Sequence, residues 1–533
     1  MDNSTHQHLR RQHAPSHRPN TLASIGQTHK TTTMVSKSEM ETASPVLVDE
    51  EKTEYVAREA SSGCTQTWTA EEEKQLVRKV DCIVMPILML VFFGLQLDRA
   101  NAGNALTDKF LVDINITQDW FNVGTQLLNA GIVLLEIPSN MVLYRVGPKA
   151  WISVQIFLWG LVATFQAFQH GLGPFLATRL LLGLCESGFI PGSLFTISQW
   201  YRSHELSRRY AFFFLGNGLA TAAGGLLAYG ILHMRGIAGL AGWQWLFILE
   251  GIFTILSGVV FVTLFPGLPT NPVSFAGVSY FSERELMILT QRKSLDDPAN
   301  NIAPGRRISL REVLDTLSNL KLWMHVLLTT VGLAPSTALW SYAPTIVSSF
   351  GYNALDSNAM TSVGQWISVT LVILGGFIAD KWHRGYFVFI AVVLEFIFTL
   401  AYKCLPDDAH RATKYALLTL ASATCSWWHA ANGSWIAVNA KSPADRSIRM
   451  AMFIMAANCA GIVGGQLFRA DDKPFYHRGW TIAVAFMASS VAIVAALLAL
   501  YALANKRLIK KTGSITEKNR QPLASPAVKL FDY

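Results

Sequence analysis

Two pairs of oppositely charged residues lie within long apolar stretches of the chain. Asp98 and Arg99 follow the apolar run MPILMLVFF, in the stretch GLQLDRANAGNA that covers residues 94–105. Arg179 and Glu186 lie further on, in RLLLGLCESGFIPG. An ionisable side chain inside a membrane span costs about 2.5–3.5 kcal/mol on insertion scales and is a functional candidate by default. A buried carboxylate can take up a proton, so these residues are candidates for a proton-coupling site.

The helical positions of the first pair suggest how it is arranged. Neighbours on a helix point about 100° apart, so Asp98 and Arg99 need not form a closed pair. We expect Arg99 to face a central cavity while Asp98 holds it through a neighbour. Asn101 shares the face of Asp98. The alternative is an ion pair that ends the helix at the outer surface.

The second pair has a spacing of seven residues, which puts Arg179 and Glu186 on one helix face. They are then about 10.5 Å apart along the axis. Glu186 is the deeper of the two, and we expect it to lack a tight partner and to pick up and release a proton. Arg179 lies near the outer end of its segment, where a place at the surface is equally open.

His429 and Asn432 lie beside Trp427 and Trp428 in a later apolar segment. A histidine beside a cavity could relay protons, and the aromatic rings could line a substrate site. The alternative is that the histidine is simply hydrogen-bonded within the protein.

Three further carboxylates lie in apolar segments. Glu136 lies two residues before Pro138, and Glu250 follows the run GWQWLFIL. We expect Glu136 and Glu250 to make hydrogen bonds that pack helices together. Glu395 has no evident role in the pattern.

The composition identifies the class of protein that must position these residues. The chain has 533 residues, of which 51% are hydrophobic and 15% charged. Soluble proteins carry about 25% charged residues, and the apolar stretches have membrane-spanning length. We therefore predict an all-α membrane protein with twelve transmembrane helices. The predicted spans 1–12 cover residues 82–104, 121–144, 150–169, 174–198, 211–233, 244–265, 323–349, 359–380, 385–404, 413–438, 448–468 and 479–504.

Basic residues concentrate in alternate loops. The net charge of +8 does not indicate a nucleic-acid partner, because the bases lie between spans and do not form one surface. By the positive-inside rule both termini are cytoplasmic, and we expect a multi-pass protein of the plasma membrane with the lipid bilayer as its partner. The bases that follow spans 2, 4, 8, 10 and 12 include Arg145, Lys149, Arg202, Arg208, Arg209, Lys381, Arg384, Lys441, Arg446, Arg449, Lys506, Arg507, Lys510 and Lys511.

The spans divide into two sets of six around one long loop. That loop contains two capping boxes, Ser282 to Glu285 and Ser309 to Glu312, and the second begins an amphipathic helix expected to lie on the inner membrane surface. The first segment of the chain is polar and lacks apolar periodicity, so we expect it to be disordered. The expected parts are a cytoplasmic tail (1–78), an N-terminal half (79–265), a cytoplasmic central loop (266–322), a C-terminal half (323–505) and a second cytoplasmic tail (506–533).

Six plus six spans around such a loop resemble the architecture of the major facilitator superfamily. The loop after span 8 reads GGFIADKWHRG, which is similar to that superfamily's signature G-x-x-x-D-R/K-x-G-R-R/K at Asp380, Lys381 and Arg384. The matching place after span 2 retains Arg145 but has Tyr144 where the signature has Asp. The resemblance implies that these charged residues act in gating, with a weaker charge lock in the first half.

Several segments resemble the fungal allantoate permease family, also called the anion:cation symporter family. They are LDRANAGNA (97–105), LLEIPSN (134–140), RLLLGLCESGFIPG (179–192), QWYRSHELSRRYAFFF (199–214), GWQWLFILEG (242–251) and LFRADDKPFYHRGW (467–480). The resemblance implies proton-coupled uptake of a small organic anion, mostly carboxylates such as vitamin acids, ureides or short peptides. It also implies that Asp98 takes the proton and Arg99 meets the anion.

Together these observations predict a proton-coupled symporter. Arg99 and Arg179 are the expected anion contacts, with Asn101, His429 and Asn432 as further substrate contacts and Asp98 or Glu186 as the proton site. Uptake of sulfonate- or sulfate-type anions is an open alternative, because Arg99 would serve either ligand. A nutrient sensor with a transporter fold is an alternative of another class. No catalytic set, cofactor motif or metal box is present in the sequence, so an enzyme is not expected. Asn115 in Asn-Ile-Thr is a predicted glycosylation site in the first outer loop.

Overall fold

The computed structural model describes residues 68–296, 308–352, 354–472, 475–518 and 531. Within these ranges eleven helical segments are long and apolar enough to cross a membrane, by length and composition. The predicted span 10 is not among these eleven; it forms the helices Arg411–Thr424 and His429–Val438. The expected tail residues 1–67 lie outside the described residues.

The spans keep their predicted order. In the N-terminal half they are Ala70–Ala105, Gln118–Val146, Pro148–Phe165, Leu172–Glu186 with Phe189–Trp200, Leu206–Leu232 and Gly242–Leu264. In the C-terminal half they are Leu320–Ser349, Ala354–Lys381, Arg384–Lys403, Arg411–Thr424 with His429–Val438, Pro443–Gly464 and His477–Lys518.

Two helices extend beyond the predicted spans into the expected tails. Span 1 begins at Ala70, because Thr69 and Glu72 form a capping box that starts the helix before the apolar run. Residues 70–78 are therefore helical, and the prediction of disorder was wrong for them. At the other end, span 12 continues to Lys518.

Helix packing repeats between the two halves. Span 1 packs on spans 5 and 6, span 2 on span 4, and span 3 on span 6. In the same relation, span 7 packs on spans 11 and 12, span 8 on span 10, and span 9 on span 12. The halves meet where span 2 packs on span 11 and span 5 on span 8. This arrangement confirms the predicted fold of two six-helix halves.

Spans 4 and 10 are both interrupted, at corresponding places in the repeat. Span 4 breaks at Ser187 and Gly188, where Gly188 has a left-handed φ of +88°. Span 10 breaks after Thr424, where Ser426 has a φ of +53°. Discontinuous helices near the middle of a membrane present helix ends, and hence free backbone groups, to their surroundings.

The central loop carries the two predicted helices, Glu283–Asp296 and Leu310–Leu317, and each starts with its predicted capping box. The first docks on the N-terminal half, where Lys79 lies 2.9 Å from Glu285. Desolvation would raise the pKa of Glu285, but hydrogen bonds from Lys79 and Ser282 hold it below its usual range. The second docks on span 11, where the Thr316 hydroxyl donates to Asp445 at 2.9 Å.

Candidate functional site

Arg99 and Glu186 form an ion pair that joins span 1 to span 4. The Arg99 Nε donates to Glu186 Oε2 at 2.7 Å. The Glu186 side chain has no solvent exposure, whereas that of Arg99 is 22% exposed. The expectation that Glu186 lacks a tight partner was therefore wrong. A rotation of span 4 that sequence spacing does not specify brings its carboxylate to Arg99.

Asp98 points to the other side of span 1. Its carboxylate accepts a hydrogen bond from the Thr254 hydroxyl of span 6 at 2.8 Å, and its exposure is 1%. It is thus bonded to span 6, and the expectation that it holds Arg99 through a neighbour was wrong. Asp98 still lies within electrostatic range of both Glu186 and Glu250.

Arg179 is buried in the N-terminal half, so its alternative place at the surface is ruled out. Its guanidinium carbon lies 5.5 Å from the Phe175 ring centre and 5.9 Å from that of Phe247. Its Nε and Nη2 groups have no hydrogen-bond acceptor among the described residues. A buried donor without an acceptor is costly, so acceptor oxygens of a ligand would stabilise this guanidinium.

Glu250 on span 6 differs from the expected packing residue. It is 4% exposed, and its carboxylate lies close to the Asn101 side chain of span 1 without a hydrogen bond of ordinary geometry among the described residues. Asn101 is also buried at 1% exposure, and its Oδ1 likewise lacks a donor there. Spans 1 and 6 therefore enclose a second group of polar atoms, on the Asp98 side of span 1.

The carboxylates of Glu136 and Glu395 accept hydrogen bonds from residues at or beside the two helix breaks. Glu136 accepts hydrogen bonds from the Ser187 hydroxyl and the Gly188 N–H, both at 3.1 Å, as expected for a packing residue. Glu395 accepts from the Trp428 indole N–H at 2.8 Å, beside the break in span 10. Sequence reasoning found no role for Glu395, because its donor comes from a break without a glycine or proline to mark it.

His429 lies at the boundary between the halves, immediately after the break in span 10. Its ring stacks on Phe453 of span 11 at 4.4 Å between centres and meets Phe214 of span 5 edge-on at 5.2 Å. Its Nδ1 has no hydrogen-bond partner among the described residues. The position next to both halves is compatible with the predicted substrate contact.

Asn432 faces the inside of the C-terminal half, which does not support the predicted substrate contact. Its Oδ1 lies 2.7 Å from Nδ1 of His325, and its amide donates to the Thr329 hydroxyl at 3.1 Å. Because a carbonyl oxygen only accepts, Nδ1 of His325 carries the proton and Nε2 accepts from the Tyr501 hydroxyl at 3.2 Å. Sequence reasoning missed His325, whose partners lie far along the chain.

Trp427 and Trp428 are also buried in the C-terminal half. The Trp427 indole N–H donates to the Ala391 carbonyl at 3.3 Å, and that of Trp428 donates to Glu395. The hypothesis that these rings line a substrate site is therefore not supported.

Asp380 and Arg384 join the two halves on the side of the central loop. The Asp380 carboxylate accepts from the backbone N–H groups of Ser207 and Arg208, at 2.8 and 2.9 Å. Arg384 Nε donates to the Ser207 hydroxyl at 3.0 Å and Nη2 to Asp380 at 3.1 Å. The start of span 5 is thus held by span 8 and the first residue of span 9.

Three other predicted residues are exposed. Lys381 and Arg145, both expected in the gate, are exposed at the surface, as is Asn115. On this side of the molecule, Asp380, Arg384 and Arg208 connect the two halves, and we call these three residues the clamp. The Nε of Arg208 lies 3.3 Å from Asp380. Within the described ranges, no group of three or more His, Cys, Asp or Glu residues could hold a metal ion.

Two six-helix halves, broken central helices and a clamp between the halves define a membrane transporter fold. A family model of the Major Facilitator Superfamily matches residues 88–466. The chain belongs to this superfamily and is a transporter rather than an enzyme.

Three similar proteins illustrate the relationship. An uncharacterized transporter of Saccharomyces cerevisiae, YIL166C, is 32% identical over 85% of this chain and 84% of its own length. A putative tartrate transporter of Agrobacterium vitis is 29% identical over 59% of this chain and 68% of its own length. The proton:xylose symporter XylE has a TM-score of 0.58 at 15% identity, over 77% of this chain and 94% of its own, which shows the fold alone.

Proposed function

We propose that the protein is a proton-coupled symporter that takes up a small organic anion across the plasma membrane, with both termini in the cytoplasm. The observation that carries the proposal is the Arg99–Glu186 ion pair beside Arg179. Arg179 adds buried guanidinium donors that lack an acceptor among the described residues. A carboxylate or sulfonate with two acceptor oxygens matches such donors.

The ion pair supplies a simple means of coupling. In this structure the Glu186 carboxylate forms an ion pair with Arg99. An anion that binds Arg99 therefore competes with this carboxylate. Once displaced, a buried carboxylate without its cation is costly unless it takes a proton. Anion and proton therefore enter together. This pairing offsets an inside-negative potential, which is worth about 2.3 kcal/mol per charge per 100 mV.

The clamp of Asp380, Arg384 and Arg208 closes the central-loop side, while Arg99 keeps partial exposure. On the proposed topology the closed side is cytoplasmic, and the site loads from outside. Neutralisation of Glu186 and Arg99 lets the loaded halves rock about the site, as in alternating access.

Chemistry and two resemblances support a carboxylate as the proposed anion. The motifs shared with the fungal allantoate permease family favour a carboxylate. One relative is named a putative tartrate transporter, and tartrate is a carboxylate. Sulfonate and sulfate oxygens would satisfy the same guanidinium groups, so they belong in the same screen.

The test is uptake of labelled carboxylates and sulfonates at acidic and neutral pH, in cells that lack their own anion carriers. Acid-stimulated uptake of one compound, abolished by Arg99→Ala, would support the proposal and name the substrate. Uptake that is indifferent to pH and to Asp98→Asn, Arg99→Ala and Glu186→Gln would overturn the coupling. A growth response without net flux of any compound would instead favour a nutrient sensor.

A further inference from the structure

Phe531, close to the end of the chain, is docked against the C-terminal half. It is half-buried and packs against the apolar core of that half. Its backbone N–H donates to Asn505 Oδ1 at 2.9 Å, and Asn505 Nδ2 donates back to the Phe531 carbonyl at 2.9 Å. One side-chain amide thus satisfies both backbone groups of a residue 26 positions further along the chain.

Asn505 is suited to hold a peptide and has no other evident role. It lies on span 12, where the apolar part of the helix gives way to Lys506 and Arg507, and it is 1% exposed. A buried amide must find hydrogen-bond partners, and here both partners belong to Phe531. Because these bonds involve the backbone groups of Phe531, they do not depend on the identity of its side chain.

The ring of Phe531 supplies the specificity. The Lys321 ammonium of span 7 lies 3.6 Å from the Phe531 ring centre and 4.4 Å from that of Tyr501. The two rings are themselves 5.7 Å apart. A cation between two aromatic faces is attracted to both, so an aliphatic side chain at position 531 would lose this contact.

Phe531 also lies next to a series of hydrogen-bonded side chains inside the C-terminal half. Tyr501 meets His325, which in turn meets Asn432 of span 10. The site therefore joins spans 7 and 12 at the central-loop side and is continuous with hydrogen bonds that reach span 10.

We propose that Lys321, Tyr501 and Asn505 form a peptide-binding site for the chain's own C-terminal segment, with Phe531 as the anchor. The site lies in one half, away from Arg99 and Glu186, and it does not depend on which substrate the protein carries.

The test places a photo-crosslinking phenylalanine analogue, p-benzoylphenylalanine, at position 531 of the full-length protein in membranes. Crosslinked peptides are identified by mass spectrometry. We expect links to segments that contain Lys321 and Tyr501. Asn505→Ala should reduce them at least about fivefold through loss of two hydrogen bonds, whereas Lys506→Ala, an exposed neighbour, should not.

Lys321→Met provides a second variant if Asn505→Ala fails to fold, because it removes the cation and keeps the apolar stem. It should also reduce the crosslink. Links that go mainly to lipid or to other proteins, or that persist unchanged in the folded variants, would overturn the proposal. The readout requires no transport, so failure here is distinct from failure of the proposed function.

Discussion

At the scale of single residues, the central feature is the proposed double role of Glu186, which is the ion-pair partner of Arg99 and competes with the anion for it. It neutralises Arg99 in this structure, yet the same Arg99 is the proposed anion contact. A variant that removes only the charge of Glu186 should therefore separate anion binding from proton coupling.

We predict that Glu186→Gln lowers the KM for the anion at neutral pH, by about tenfold if about 1.4 kcal/mol of competition is removed. The neutral amide no longer competes for Arg99, so acid should no longer stimulate uptake. Initial rates at a series of pH values would measure both effects. A raised KM with intact acid stimulation would contradict the competition.

Arg99 and Arg145 provide a matched pair of arginines. Arg99→Ala should abolish saturable uptake, because it removes the proposed anion contact and leaves Glu186 buried without its cation. Arg145→Ala should retain it, since Arg145 is exposed at the surface. Uptake and surface expression would be measured together. Equal loss in both variants would point to general damage.

Glu136 and Glu250 should respond differently to removal of their carboxylates. Glu136→Leu leaves the Gly188 N–H without its acceptor, which costs about 1–3 kcal/mol, whereas the Ser187 hydroxyl keeps the Ile132 carbonyl as an acceptor at 2.8 Å. Glu250→Leu removes a buried carboxylate that has no hydrogen bond of ordinary geometry among the described residues, and it should be neutral or stabilising. Thermal unfolding of the purified proteins would compare them. A larger loss for Glu250→Leu would show that its carboxylate has a partner.

At the scale of elements, the break in span 4 depends on one glycine. A Cβ at Gly188 would lie 2.2 Å from the Ser139 hydroxyl oxygen, and the φ of +88° disfavours other residues. Gly225, in span 5, has nothing within 4 Å of such a Cβ and no positive φ.

Gly188→Ala should therefore lower the thermal stability of the purified protein, with a backbone cost of at least about 1 kcal/mol. Gly225→Ala should leave it nearly unchanged. Equal stability of the two variants would mean that the break in span 4 relaxes without cost.

The same elements show what sequence patterns can and cannot predict. Apolar runs gave the order of the spans, and Ser-x-x-Glu pairs gave the starts of both loop helices, because each signal is local. The Arg99–Glu186 and Asp98–Thr254 contacts depend on how three spans rotate against one another, and spacing along one helix carries no such information. The break at Ser426 has no glycine or proline to reveal it.

At the scale of the whole molecule, Asp380, Arg384 and Arg208 join the two halves on the central-loop side, and we propose that they keep that side closed. Asp380 holds the start of span 5, and beside it the Ser207 hydroxyl lies 2.7 Å from that of Ser434 in span 10. Ser434 is fully buried in this closed arrangement. Opening the clamp should expose it.

A cysteine at position 434 should report that opening. In Ser434→Cys, labelling of the peptide that contains position 434, followed by mass spectrometry because native Cys82 is exposed, should be slow with a thiol reagent added on the central-loop side. Asp380→Asn should increase the rate, because the neutral amide holds the span 5 backbone less strongly. Lys381→Gln, at an exposed neighbouring position, is the control and should have no effect. Equal rates in all three proteins would refute the role of the clamp.

The most direct test of proton–anion coupling uses purified protein in liposomes that contain a pH-sensitive dye. The external solution holds the substrate found in the uptake screen, with no initial pH gradient. We predict that addition of the anion acidifies the interior with the wild-type protein. With Glu186→Gln, labelled anion should still exchange across the membrane while the acidification disappears. Anion uptake by the wild type without acidification, or the same acidification with Glu186→Gln, would contradict the account.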